Sequence, residues 1–199
     1  METIFGQDIA PEKDDYIYDF KTTSDVDTLY HHEAMHQRDV DKFHEAMMSG
    51  CKGQANNKNF SLMKRSQIPE KATILPAVWQ IRRKRDVRTG EIKKCKARIN
   101  LDGFKMVKHE HYELTYAPVM QWYSIRMVMA LTIVNEWYMQ QIDYVFAYPQ
   151  ATIEREICMK IPRGMEIEGK NKDDYVLKLH RNIYGQKQAG RVLCQYLLN

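Results

Sequence analysis

The sequence predicts an α+β fold. Segments of helical and strand-like periodicity alternate irregularly, and the loop "DVRTG" at residues 86–90 joins two strand-like pieces as a hairpin. No strand–helix–strand repeat points to a doubly wound parallel sheet. Antiparallel strands with packed helices are therefore expected.

In chain order, residues 1–30 are acidic and aperiodic, which predicts a flexible leader or linker with at most a short strand at Tyr16 to Phe20. Met35, Val40, Phe43 and Met47 recur at helical spacing, so a helix is expected from His31 to Met48, broken by "SGCKGQANNKN". "FSLMKR", "VWQIRRKR" and "EIKKCKARINLDGF" read as strands. "WYSIRMVMALTIVNEW" reads as a helix packed on a sheet. "YMQQIDYVFAYP" reads as a strand headed for the core, with "TIEREICMKIP" as its hairpin partner. "DDYVLKLHRNIYG" is a further strand and turn, and a helix starts near Gln188. The last residues, "GRVLCQYLLN", carry no closing signal, so the chain is expected to be part of something longer. The domain reading is a leader over 1–30 and a folded unit over 31–199.

The chain is 44% hydrophobic and 28% charged, with a net charge of +4. Its four cysteines are scattered, as expected of free thiols in a reducing compartment. No signal peptide opens the sequence and no apolar run reaches membrane-spanning length, which predicts an intracellular protein, cytoplasmic or nuclear.

The densest charge lies in "RRKRDVRTGEIKKCKAR", where nine Lys or Arg face Asp86 and Glu91. Alternate residues of a two-stranded ribbon share a face. Lys94, Lys96 and Arg98 are thus expected together, with Arg82 and Lys84 on the same face of the partner strand. Such a ribbon suits phosphates of a nucleic acid or of a triphosphate. Arg83 is included in the nucleic-acid set. A solvated hairpin without a partner is the alternative.

Asp143 is the other singular residue. A carboxylate among Ile142, Val145 and Phe146 needs a cation or an ion-pair partner if it is buried. A magnesium site for phosphoryl transfer needs further carboxylates. Asp173–Asp174 follow a turn-like stretch and Asp14–Asp15 lie in the leader, so neither pair is counted.

Over residues 30 to 199 the order of landmarks resembles the reverse transcriptase domain of copia-type retrotransposons. These are "EAM", "DKFHEAM", "VWQIRRKRD…G", "KKCKARINLDGF", "YAPV", "SIRMVMAL", "QIDYVFAY", "EREICMKIPRG" and "LKLHRNIYGQKQAGR". The resemblance implies an RNA-directed DNA polymerase of right-hand form, represented here by fingers and a partial palm. It implies that Asp143 is a catalytic carboxylate binding Mg²⁺ or Mn²⁺, with the backbone carbonyl of Tyr144 beside it. Tyr148 would stand against the sugar 2′ position. Arg98, with Lys96 and Lys84, would contact the incoming dNTP, and Gln188 would lie beneath it. Implied partners are an RNA or DNA primer–template, dNTPs and other segments of a retrotransposon polyprotein, with no membrane.

The sequence departs from the family pattern at Gln186, Pro149 and Gly190. The family's Asp-Asp hairpin is absent, so metal binding is expected only with the complete palm, and the chain alone is expected to be inactive. A nucleic-acid-binding remnant without synthesis is the alternative. "HEAMH", residues 32–36, matches the zinc-protease pattern H-E-x-x-H, with His32 and His36 as ligands and Glu33 as base, but lacks a third ligand at metzincin spacing. His109 and His111 are read as a solvated pair, and Trp79, Trp122 and Trp137 as core anchors. The twelve Met residues are read as core filling on helix faces.

Overall fold

A computed structural model describes residues 25–70 and 72–199. The strand expected at Tyr16 to Phe20 lies outside these residues. Among the described residues the chain forms an α+β fold with two sheets. The first contains β1 (Thr28–Leu29), β4 (Ala77–Arg85) and β5 (Ile92–Leu101), ordered β1-β4-β5 and antiparallel. The second contains β2 (Phe60–Lys64), β3 (Ile74–Leu75), β6 (Cys158–Met159) and β7 (Tyr175–Leu179), ordered β2-β7-β6-β3. Its β3–β6 pair is parallel, which the expected all-antiparallel pairing lacked. Residues 28–29, assigned to the leader in the sequence reading, are thus a strand of the first sheet.

The β4–β5 hairpin forms as expected. Asp86 shapes its turn: Oδ1 accepts the N–H groups of Arg88 and Thr89 at 2.9 and 3.2 Å. Gly90 closes it at φ +73°, where a Cβ is disfavoured. Alternation then sorts the strands. Trp79, Ile81, Ala97, Ile99 and Leu101 are buried on one face, while Arg82, Lys84 and Lys94 stay exposed on the other.

The expected first helix is two helices, α1 (His31–Met35) and α2 (Val40–Asn56). α2 runs through the glycines expected to break it. They permit close packing instead: a Cβ on Gly50 would lie 3.0 Å from the carbonyl oxygen of Ala97 on β5. Phe43, Met47, Cys51 and Gln54 of α2 are buried. Burying a side chain such as Phe43 contributes about 1.5–3 kcal/mol. Burial pushes the Cys51 thiol up to about 12.

The helix expected over residues 122–137 exists as α3 (Trp122–Val134), but no residue of it is buried. It therefore does not pack on a sheet among the described residues. Trp122 is 74% exposed and Trp137 is exposed too, so Trp79 alone of the three tryptophans is a core anchor, its Nε1 donating to the carbonyl of Arg163 at 2.8 Å. Methionine divides similarly: Met47, Met106, Met159 and Met165 are buried, whereas Met120, Met127, Met129 and Met139 are exposed.

Residues 138–146 form no strand. Ile142 and Val145 are 66% and 76% exposed. A strand needs a neighbour to accept its ladder bonds, and no described strand pairs with this segment. β6 instead pairs β7 and β3. The last helix, α4 (Ala189–Leu198), starts where expected, and Ala189 and Val192 are its buried residues.

Candidate functional site

A groove of about 820 Å³ runs along β5, the edge strand of the first sheet, between α2 and residues 143–146. Lys94, Lys96, Arg98, Asp143, Tyr144 and Tyr184 line it, as does Glu45 of α2. The fold thus brings Asp143 and Tyr144 to the same groove as four basic residues of the ribbon, Lys93, Lys94, Lys96 and Arg98.

The β4–β5 register explains the charge concentration. Lys84 lies opposite Lys94, Arg82 opposite Lys96, and Gln80 opposite Arg98. Like charges directly across a ladder repel. Burial, followed by the charges of Arg98, Lys84 and Lys94, lowers Lys96 below the ordinary lysine value, and Asp143 opposes the shift. Among the described residues no carboxylate forms an ion pair with Lys84, Lys94, Lys96 or Arg98.

Three other arginines of the ribbon are already engaged. Asp25 pairs with Arg82 at 3.0 Å, and Asp27 holds Arg85 through two hydrogen bonds of 2.7 and 2.9 Å. Arg83 lies on the opposite face, with its side chain 11% exposed. It donates to Asp39 at 2.6 and 2.9 Å and to Gln37 at 3.0 Å, over the ring of Phe43. This fastens α2 to the hairpin and sets Arg83 apart from the exposed basic face. Period-two alternation already separated Arg83 from Arg82 and Lys84.

Asp143 is exposed, which overturns its reading as a buried carboxylate. The segment around it is anchored by Phe146, which has φ 52° and a ring against α2 at Gly53. Non-glycine residues at positive φ persist where surrounding packing holds them.

Tyr148 lies half-buried in a short turn, Tyr148–Gln150, ahead of buried Ala151. Its ring meets that of Tyr184 edge-on, with centroids 4.8 Å apart. The guanidinium of Arg98 lies over the same Tyr184 ring, with Cζ 5.1 Å from the centroid. Sequence reasoning did not single out Tyr184, whose only signal was its place before the turn glycine. Gln188 lies at the start of α4, 1% exposed, and neither of its amide atoms has a hydrogen-bond partner. Leaving such an amide unmet costs about 1–3 kcal/mol, so it calls for water or a ligand.

The donor set does not close around a divalent cation. Mg²⁺ and Mn²⁺ take several oxygen ligands, and among the described residues no cluster of three His, Cys, Asp or Glu could hold a metal. Asp173 and Asp174 are exposed in a separate turn. In "HEAMH" the helix ends at Met35, so His36 caps it and donates from Nδ1 to the carbonyl of His32 at 2.7 Å. Glu33 accepts the backbone N–H of Tyr30 at 2.8 Å. His109 is exposed and contacts Glu113 at 2.9 Å, whereas His111 is buried and accepts the N–H of Val107 at 3.0 Å, so the two are not a solvated pair. Among the described residues no helix is long and apolar enough to cross a membrane.

The profile described as reverse transcriptase (RNA-dependent DNA polymerase) matches residues 57–199. The retrovirus-related Pol polyprotein from transposon RE2 of Arabidopsis thaliana is 31% identical over 151 residues, 76% of this chain and 10% of that protein. The corresponding polyprotein from transposon TNT 1-94 of Nicotiana tabacum is 28% identical over 80% of this chain and 12% of its own length. That from transposon RE1 of Arabidopsis thaliana is 30% identical over 79% of this chain and 11% of its own. The chain thus spans about a tenth of these relatives. No solved structure matches it significantly.

Proposed function

Because this chain belongs to the reverse transcriptase (RNA-dependent DNA polymerase) family, we propose that it forms the fingers and part of the palm of a retrotransposon RNA-directed DNA polymerase, and that its groove receives the primer–template and the incoming dNTP. The carrying observation is that Lys84, Lys94, Lys96 and Arg98 share one face of the hairpin, and none of them is ion-paired with a carboxylate among the described residues. Phosphates are the ligand that relieves such repulsion, and each contact releases a condensed counterion.

In this reading Arg98 and Lys96 contact the triphosphate, with Lys84 and Lys94 toward the strand backbone. Tyr148 lies against the sugar, and Gln188 offers its unmet amide beneath the nucleotide. Asp143 stands at the groove wall where the primer 3′ hydroxyl would meet the α-phosphate, and divalent cations would supply the Lewis acid for that attack. One carboxylate and the Tyr144 carbonyl do not hold such ions alone. We therefore infer binding without primer extension for this chain by itself, with further segments of a polyprotein as its working context.

Fluorescence anisotropy with a labelled primer–template tests the proposal. Nanomolar to micromolar binding that weakens with salt, and weakens again in Lys84→Ala and Lys94→Ala, is expected. Salt-insensitive binding, or none, would overturn it. Metal-dependent extension by the chain alone, lost in Asp143→Asn, would overturn the inference that it does not synthesise.

A further inference from the structure

We propose that Tyr184 is a positioning residue that couples Arg98 to Tyr148, so that the phosphate-contacting group of the groove and the tyrosine read as sugar-contacting are set by one ring. This rests on the nucleotide reading of the groove given above.

The three side chains come from separate parts of the chain. Arg98 stands on β5, Tyr148 in the 148–150 turn, and Tyr184 in the loop after β7. Tyr184 touches both others: the Arg98 guanidinium lies 5.1 Å over its ring, and the Tyr148 ring meets it edge-on at 4.8 Å. Tyr184 also lines the groove, whereas Tyr148 does not. Tyr184 therefore faces the ligand space itself, and Tyr148 is set against its ring from outside that lining.

The ring can act as a reference because its backbone is fixed. The carbonyl of Tyr184 accepts the N–H of Leu101 at 2.8 Å. Gly185 follows at φ +88°, so close that a Cβ there would lie 2.0 Å from the carbonyl oxygen of Leu101. Ile183 before it is buried, and its N–H donates to the side chain of Gln186 at 3.2 Å. The loop is thus locked to the end of the strand that carries Arg98.

The cation–π contact also leaves Arg98 competent. It draws on the charge of the guanidinium and occupies no hydrogen-bond acceptor, so N–H donors remain for an anion. Arg98 has no ion pair among the described residues. A ring that holds the guanidinium reduces the side-chain freedom lost when a phosphate binds. The edge contact restrains Tyr148 in the same way, so both contacts need the ring and neither needs the phenol oxygen.

The test uses the whole chain as wild type, Tyr184→Phe, Tyr184→Leu and Arg98→Ala. Calorimetry reads dATP and ATP affinity with primer–template present, and arginine Nε–Hε spectra read the ring-current shift of Arg98. The expected result is an upfield-shifted Arg98 signal in wild type and Tyr184→Phe, lost in Tyr184→Leu. Tyr184→Leu should bind dATP about tenfold more weakly and distinguish it less from ATP, while Tyr184→Phe retains both properties. An unshifted Arg98 signal in wild type overturns the coupling. So does a Tyr184→Leu variant with wild-type affinity and discrimination when Arg98→Ala has lost dATP binding. If Arg98→Ala binds dATP as wild type does, the nucleotide reading of the groove fails instead, and the Arg98 signal still decides the coupling.

Discussion

The ring of Phe146 lies directly over Gly53: a Cβ built on that glycine would be 3.0 Å from the ring's Cζ. This contact joins α2 to the segment that carries Asp143, and the groove lies between them. Gly53 thus costs α2 some helix propensity, about 1 kcal/mol relative to Ala, and in exchange admits the ring. Gly53→Leu should expel Phe146 and release residues 143–147. Chymotryptic cleavage after Phe146 in the native protein is expected to accelerate, with α2 still helical by circular dichroism. Unchanged cleavage would show that the ring does not hold the segment.

Gly185 is the stricter case. Its φ of +88° and the 2.0 Å approach of a Cβ to the Leu101 oxygen leave no room for a side chain. Backbone neighbours cannot rotate away as a flexible side chain does. Gly185→Ala is expected to cost about 3 kcal/mol or more, read as a drop in thermal midpoint on the order of 10 °C. A midpoint within a degree or two of wild type would contradict the contact.

Acid stability should depend on Asp39. Its hydrogen bonds from Arg83 hold the carboxyl below its ordinary value of 3.8, against the opposing effect of burial. A carboxyl lowered in the folded state contributes stability above its unfolded value and loses it as pH falls through the folded value. Wild-type stability is therefore expected to fall below about pH 4, and Arg83→Leu should flatten that dependence. At neutral pH the same variant should lose about 1–3 kcal/mol, since it strands a partly buried carboxylate. Urea midpoints between pH 2.5 and 7 check both expectations.

The salt dependence of primer–template binding should separate the two faces of the hairpin. Each lysine that contacts a phosphate contributes about one to the slope of log affinity against log salt. Lys84→Ala and Lys94→Ala should each reduce the slope by roughly that amount. Arg83→Ala should leave it unchanged, because its guanidinium is spent on Asp39 and Gln37. A reduced slope in Arg83→Ala would return that residue to the nucleic-acid set.

The sequence by itself determined what depends on near neighbours. The turn at 86–90, the alternation that separates Trp79 and Ile81 from Arg82 and Lys84, and the start of α4 are local, and all appear where periodicity put them. The ordered landmarks carried the family, because their sequence spacing survives without coordinates. Tertiary structure decided the rest, because the deciding contacts join residues far apart in the chain. Glycines that looked like a helix break became contact points for Ala97 and Phe146. The apolar stretch 138–146 found no described strand to join, so its periodicity produced no sheet and left Asp143 exposed. Arg83 met Asp39, and Tyr184 met both Arg98 and Tyr148. Periodicity names the face on which a side chain stands, but only the packed chain determines which distant partner waits there.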